Sequence, residues 1–333
     1  MEMKQVRLAQ TPEGEPRVED FEIATLPMPE PGNGQVLCET RYLSLDPYMR
    51  SQIAGRHISG SIGPGDPMRG ETVSQVIESR SPDFSPGDWV RGFGGWQTHS
   101  VLDASSLSPV DPRIQPPSYA LSLLGMTGLT AWAGMVWQAD VGPGDQVLIP
   151  AVTGGVGAAA AQFCRLRGAE VVGTAGSDEK CRYAEDRLGV RHCVNRHVTD
   201  LGAALDEAFS DGIDIYFDLV GGELLNLASE RLALNARVVL AGLISEYNQA
   251  GRSAGPPPGN WIKARATVTG LVVYDFEARR DEFIDAVVPW LEEGKIFQLE
   301  DVAAGIDAAP AAFCRLMRGG NFGKSVVRMG PES

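Results

Sequence analysis

Little in this sequence points to metal or to disulfides. The five cysteines, Cys38, Cys164, Cys181, Cys193 and Cys314, are an odd number, widely scattered and without a CxxC pair. That argues against a disulfide framework or a structural zinc and for reduced thiols. The four histidines, His57, His99, His192 and His197, are dispersed, and only the last two share a local segment, so no metal site is expected. Positive charge is scarce: 29 Lys and Arg against 43 Asp and Glu give a formal net charge of -14. Such a surface repels a phosphate backbone or an anionic membrane, which argues against nucleic acid as a partner. No apolar run approaches the roughly 18 residues of a membrane helix, and the opening MEMKQVRLAQ lacks the apolar core of a signal peptide. The expected location is the cytoplasm, with no membrane partner.

What is present is enough chain for about two domains at the usual 100 to 200 residues each, with 43% hydrophobic content over 333 residues. Up to about residue 120 the sequence is dense in Pro and Gly, and short β-like runs such as QVLCETRYLSL and ETVSQVIES alternate with turn signals such as PEPGNG and SPGD. A β-rich, barrel-like domain is expected there. From Leu121 the texture changes to helical runs alternating with short β-branched runs, the signature of βαβ units. Expected strands are QVLIPA, AEVVGTA, IDIYFDLV, ARVVLAGL and TVTGLVVY; expected helices are AAAAQFCRLRG, EKCRYAEDRLG and GELLNLASERLALN, each closed by Gly or Asn. The last residues, including FGKSVVRM, read as strand again. The fold class is therefore α/β, with a doubly wound parallel-sheet domain over 126–299 and a β-rich domain assembled from 1–125 and 300–333. The stretch GPPPG at 255–259 is a stiff loop.

Strand QVLIPA runs directly into Val152-Thr153-Gly154-Gly155-Val156-Gly157 and then an Ala-rich helix, the context a dinucleotide-binding loop requires. Glycines let the backbone approach a pyrophosphate, and the helix N-terminus offers it N–H groups and a positive dipole end. Val152 stands where the first glycine of GxGxxG would be. Taken alone the motif is weak, because any tight strand-to-helix turn can use glycine. Specificity for the adenosine ribose is set about 20 residues further on, where this chain has Gly176-Ser177-Asp178-Glu179-Lys180. No acid stands at the strand end, and Ser177, Lys180 and Arg196 are candidates to converge on a 2′-phosphate. The alternative makes Ser177 or Asp178 an ordinary helix N-cap and the basic residues a solvated face. Asp178 argues the other way, as a mimic of the ribose acid; against it, Ser177, Lys180 and Arg196 favour NADP over NAD.

With these residues in place the chain resembles a known family. LDPYMR at 45–50, GMTGLTAW, AVTGGVGAAAAQ, VGTAGSDEK, YFDLVGG, GLISEYN at 242–248, GLVVY at 270–274 and NFGK at 321–324 occur in this order. They are similar to the zinc-independent medium-chain dehydrogenase/reductases, and within them to the prostaglandin reductase (leukotriene B4 dehydrogenase) and alkenal double-bond reductase branch. The resemblance implies a GroES-like partly open barrel, a Rossmann domain, a homodimer, and NADPH-dependent reduction of the carbon–carbon double bond of α,β-unsaturated carbonyls. Zinc-dependent relatives carry a Cys in the stretch here read as RYLSLD and a Gly-His-Glu where this chain has Gly70-Glu71-Thr72, so no Lewis acid is expected.

Carried over residue by residue, the likeness gives Gly154, Gly155, Val156 and Gly157 to the pyrophosphate and Lys180 with Ser177 to the 2′-phosphate. Ala241 to Tyr247, including Gly242, Ile244, Ser245 and Tyr247, and Leu271, Val272 and Val273 resemble segments that run past the nicotinamide. Asn321 resembles a cofactor contact from the C-terminal segment. The chain departs from the family's pattern where Arg196 replaces the Tyr of an Asn-Tyr pair, where Asp218-Leu219 replaces Asp-Asn, and where Thr127 stands in GMTG. In conjugate reduction, negative charge develops on the carbonyl oxygen, and a donor must wait there. Tyr247 and the cofactor's own ribose hydroxyl are the candidates, with Tyr48 lining the pocket; Tyr247 or water protonates the α-carbon. A cofactor-packing aromatic is the alternative for Tyr247. Tyr274, Trp96 and Trp261 are further candidates for the pocket wall, against plain packing. Pocket shape is expected to depend on the loop from Gly251 to Trp261 and on the region around Tyr48. Two other activities stay open: a quinone reductase on the same fold, and a catalytically silent NADPH-binding redox sensor.

Overall fold

The computed structural model describes residues 2–249, 251 and 253–330. Arg252, inside the loop expected to shape the pocket, lies outside them. The chain divides into two compact units, Met1–Ser122 with Glu300–Ser333, and Leu123–Leu299.

In chain order the first stretch supplies β1 (Glu2–Leu8), β2 (Phe21–Pro27), β3 (Gln35–Ser44), a short helix α1 (Met49–Ile53), β4 (Thr72–Ser79), β5 (Trp89–Gly92), β6 (His99–Asp103) and β7 (Ser108–Pro109). The middle stretch supplies α2 (Met126–Trp132), β8 (Gln146–Ile149), α3 (Gly155–Leu166), β9 (Glu170–Ala175), α4 (Asp178–Tyr183), β10 (His192–Asn195) and α5 (Leu201–Ala208). It continues with β11 (Ile213–Asp218), α6 (Gly222–Glu230), β12 (Leu232–Leu240), α7 (Pro258–Ala264), β13 (Thr267–Gly270) and α8 (Arg280–Glu292). The chain then re-enters the first unit with β14 (Glu300–Ala304), α9 (Ala309–Met317) and β15 (Lys324–Arg328). Among the described residues no helix is long and apolar enough to cross a membrane.

In the first unit β1 and β2 form an antiparallel ribbon, and the larger sheet runs β14-β15-β3-β4-β5-β7 with β6 also on β3. FGKSVVRM joins it as β15, antiparallel to β3 with Val326 opposite Ser44. Lys324 explains why two distant sequence motifs belong together. Its buried Nζ donates to Ser44 Oγ at 2.7 Å, to Leu45 O at 2.8 Å and to Asp46 Oδ1 at 2.9 Å, tying NFGK to LDPYMR. A buried ammonium is tolerable only when its donors are met in this way.

The second unit has one parallel sheet in the order β10-β9-β8-β11-β12-β13, the doubly wound arrangement. On one face Leu148, Val172, Tyr216 and Val238 pack with Leu205, Phe209 and Leu224. Elsewhere in the unit Trp132, Phe163, Phe283 and Trp290 form an aromatic cluster. The α/β class read from the sequence therefore stands, and one of the expected helices needs correction. GELLNLASERLALN does not stay helical to Asn235: α6 ends at Glu230, and Leu232 already begins β12. Asn235 takes φ +64° inside that strand, opposite a shift in pairing register between Ile213 and Ile215, so it marks a β-bulge rather than a helix end. Gly189, with φ +72°, does close its helical run.

Candidate functional site

β8 and β11 are the two central strands from which the connections wind in opposite directions, and a crevice opens at the carboxyl ends of such a pair. On the β8 side the glycine loop makes its turn at Ala151, with φ +47°, and Gly154 N donates to Ala151 O at 2.8 Å. No side chain caps α3, so its first-turn N–H groups have no acceptor within the helix and are left for an anion. Gly157 sits where a Cβ would lie 2.4 Å from Ala151 O and 2.8 Å from Val152 Cα, both backbone atoms that cannot rotate away.

The absent first glycine has a structural answer. Val152 is fully buried, and its side chain lies over Gly173 on β9, where a Cβ would fall 2.6 Å from Val152 Cγ1. A valine in the loop is thus matched by a missing side chain on the next strand. A glycine inside the run AEVVGTA was the available signal, and sequence reasoning passed over it.

At the far end of β9, Ser177 is the N-cap of α4, its Oγ accepting from Lys180 N at 3.3 Å. The capping reading of Ser177 is therefore satisfied, and Lys180 is placed in the same turn, half-buried. β10 pairs parallel with β9 and sets Asn195 opposite Ala175. That register brings Arg196 alongside: a Cβ on Gly176 would lie 3.6 Å from Arg196 Nε, and this Nε donates to His197 Nε2 at 3.2 Å. Asp178, the residue that argued for a ribose diol, accepts from Asn195 Nδ2 at 2.6 Å.

On the β11 side the organising residue is Asp218, which the sequence shows only as part of a motif. Its Oδ1 accepts from Tyr216 Oη at 2.8 Å, Val220 N at 2.9 Å and Gly221 N at 2.8 Å. Its backbone carbonyl accepts from Ala241 N and Gly242 N. Asp218 is fully buried, and its Oδ2 has no hydrogen-bond partner among the described residues. Burial pushes its carboxyl above the usual range, against the pull of the three hydrogen bonds, and raises the phenol of Tyr216 well up.

The segment from Ala241 to Tyr247 is laid over this turn. Gly242 N donates to Asp218 O at 3.1 Å, Ser245 Oγ donates to Val220 O at 2.6 Å, and Ile244 opens the short helical turn 244–246. Tyr247 curls back so that its hydroxyl accepts from Leu243 N at 3.4 Å. Burial raises its phenol, which keeps it protonated. Leu271, Val272 and Val273 follow β13; Leu271 is buried, its N bonded to Leu240 O at 2.9 Å, and Val272 is exposed.

Tyr48 and Asn321 belong to the first unit. Tyr48 precedes α1 and stacks on His57 with ring centroids 4.9 Å apart. Asn321 Nδ2 donates to Gly323 O at 2.7 Å, holding the turn before β15. Trp96 is fully buried between Phe21 and Phe313, so it is core and not wall. Trp261 lies on α7 and Tyr274 in the helical turn 273–279. Glu71 is buried and paired with Arg91. Among the described residues no cluster of three or more His, Cys, Asp or Glu is arranged to hold a metal.

Comparison with known proteins covers nearly the whole chain. Residues 4–110 match a family described as the N-terminal domain of oxidoreductase, and residues 155–293 one described as zinc-binding dehydrogenase. The chain is 38% identical over 329 residues to the NADPH-dependent curcumin reductase of Escherichia coli, across 97% of this chain and 95% of that protein. It is 37% identical over 339 residues to the NADP(+)-dependent 2-alkenal reductase of Nicotiana tabacum, across 99% and 98%. The crystal structure of CurA from Vibrio vulnificus in complex with NADPH matches with a TM-score of 0.94 at 35% identity, over 99% of this chain and 100% of that one.

Proposed function

The chain belongs to the zinc-independent medium-chain dehydrogenase/reductases, in the branch of the prostaglandin and alkenal double-bond reductases, and from that premise we propose how its residues serve the reaction. It is an NADP-dependent oxidoreductase that reduces the carbon–carbon double bond of α,β-unsaturated aldehydes and ketones.

The residues present fit NADPH. The loop Gly154, Gly155, Val156 and Gly157 takes the pyrophosphate, because Gly157 admits no Cβ and α3 begins uncapped. Ser177, Lys180 and Arg196 take the 2′-phosphate. The observation that carries this reading is the edge itself, with the Arg196 guanidinium beside Gly176 and Lys180 in the turn that Ser177 caps, while the nearby acid, Asp178, is engaged by Asn195. Gly242, Ile244, Ser245, Leu271, Val272 and Val273 flank the nicotinamide in this assignment, with Asn321 as a further cofactor contact and Tyr48 as a wall of the substrate pocket.

Bound NADPH supplies the hydride that adds to the β-carbon. The protein's part is to meet the negative charge that develops on the carbonyl oxygen. Tyr247 is suited to this, because its raised pKa keeps the phenol protonated and its oxygen already accepts from Leu243 N, which leaves the O–H for a second acceptor. Asp218 holds the two segments, 219–221 and 241–242, that set the position of Tyr247. Five buried, free cysteines suit the reducing cytoplasm, and a homodimer completes the reading by family likeness.

The test is a cofactor and acceptor panel, following oxidation of NADPH and then NADH with a 2-alkenal, an aryl enone and a quinone. Turnover of the enal or enone with NADPH, and poor turnover with NADH, is expected. Turnover with the quinone alone assigns a quinone reductase, and tight NADPH binding without turnover assigns a silent sensor.

A further inference from the structure

Two thiols lie directly behind the residues assigned to the 2′-phosphate. Cys181 is on α4, next to Lys180, and Cys193 is on β10, three residues before Arg196. α4 packs on β10, the bond from Asn195 Nδ2 to Asp178 Oδ1 ties the same two elements at 2.6 Å, and Cys193 N donates to Glu185 Oε1 at 2.8 Å. The two sulfurs are within hydrogen-bonding reach of each other. Both are buried, Cys181 at 7% and Cys193 at 6% exposure. Cys38, Cys164 and Cys314 are buried on other elements. Burial holds both thiols of the pair above the usual range; at Cys193 the neighbouring Cys181 thiol adds to this, and the Glu185 carboxylate adds to it at both, so the resting form is the protonated dithiol.

We propose that Cys181 and Cys193 are a disulfide-forming modification site through which a hydroperoxide weakens NADPH binding. The sulfur of Cys181 attacks the terminal peroxide oxygen, the O–O bond breaks, and the alcohol leaves with one proton. The sulfur of Cys193 then attacks the sulfenic sulfur of Cys181, the S–O bond breaks, and the hydroxyl leaves with the Cys193 proton as water, forming the S–S bond. Two thiols and one hydroperoxide thus give one disulfide, one alcohol and one water; the sulfurs lose two electrons and the peroxide gains them. The bond draws α4 against β10 and moves Ser177 and Lys180 relative to Arg196, where the 2′-phosphate is read. The effect on NADPH rests on the cofactor assignment above, whereas the cross-link does not.

The experiment treats the full chain with hydrogen peroxide, removes the excess, alkylates under denaturing conditions without reductant and measures intact mass and peptide maps. The expected result is three alkylated cysteines out of five, a peptide pair joining residues 181 and 193, and a mass lower by two hydrogens before alkylation. NADPH affinity should fall about tenfold and return with dithiothreitol, with NADH changed less. Cys181→Ser and Cys193→Ser should each abolish the cross-link and the peroxide effect. Five alkylated cysteines after peroxide, or an oxidised cysteine without a partner, overturns the site. A cross-link with unchanged NADPH affinity overturns its effect on the cofactor. Absence of NADPH binding before oxidation defeats the cofactor assignment instead, and the mass measurement still decides the cross-link.

Discussion

The two halves of the six-stranded sheet reach the same crevice by different chemistry. From β8 to β10 the local shape is made by what is missing: no side chain on Gly157 or Gly173, no cap on α3, and cations at the surface. From β11 to β13 it is made by a buried polar centre, Asp218, whose side chain and carbonyl together hold two loops. The first half can be damaged by adding atoms and the second by removing them. A half built on absence tolerates exposure to water, whereas a half built on a buried carboxyl depends on the protonation of that one group.

Gly157→Val breaks the first half hardest. A Cβ at 2.4 Å from a backbone oxygen forces the turn apart, and the phosphate seat goes with it. NADPH binding measured by fluorescence titration should weaken by about 100-fold or more, while the far-ultraviolet spectrum stays native. Retention of native affinity would separate this loop from the pyrophosphate. On the other side Tyr247→Phe removes one hydroxyl and leaves the packing. Turnover should fall by up to about 100-fold, the scale of a single transition-state donor, with NADPH affinity unchanged. Equal turnover would leave Tyr247 as a packing aromatic. Lys180→Ala sharpens the contrast with a smaller change: a lost charge-assisted bond weakens NADPH about tenfold and leaves NADH nearly unaffected. An equal loss for both cofactors would place Lys180 away from the 2′-phosphate.

The same contrast explains what could be read from the sequence. The glycine loop, the strand-helix alternation and the Ser177 to Arg196 edge were legible because residue type alone carries their physics: backbone freedom, caps and charge. Asp218 was not, because an acid at a strand end reads as surface until the fold buries it. Leu232 to Asn235 misled for a related reason, since leucine and alanine suit a helix and only the pairing with β11 decides for strand. Val152 against Gly173 is a pair of positions 21 apart that neither residue announces by itself.

Asp218→Asn is the mildest substitution and the one that isolates the buried carboxyl. The amide keeps an oxygen for the bonds from Tyr216, Val220 and Gly221 but cannot ionise. In the native chain burial raises the Asp218 pKa above its ordinary 3.8. The folded state therefore holds that proton more tightly than the unfolded state does. Stability from this source is fully present below the ordinary value and is lost as pH rises through the raised one. The variant lacks that loss. Its new N–H, placed where Oδ2 had no partner, lowers Tm by an amount independent of pH. Plotted against pH from about 3 to about 7, the Tm of the variant should gain on the native chain through the acid range and then run parallel to it. Curves parallel throughout would mean that the Asp218 carboxyl titrates alike folded and unfolded, and the second half of the sheet would lose its dependence on protonation.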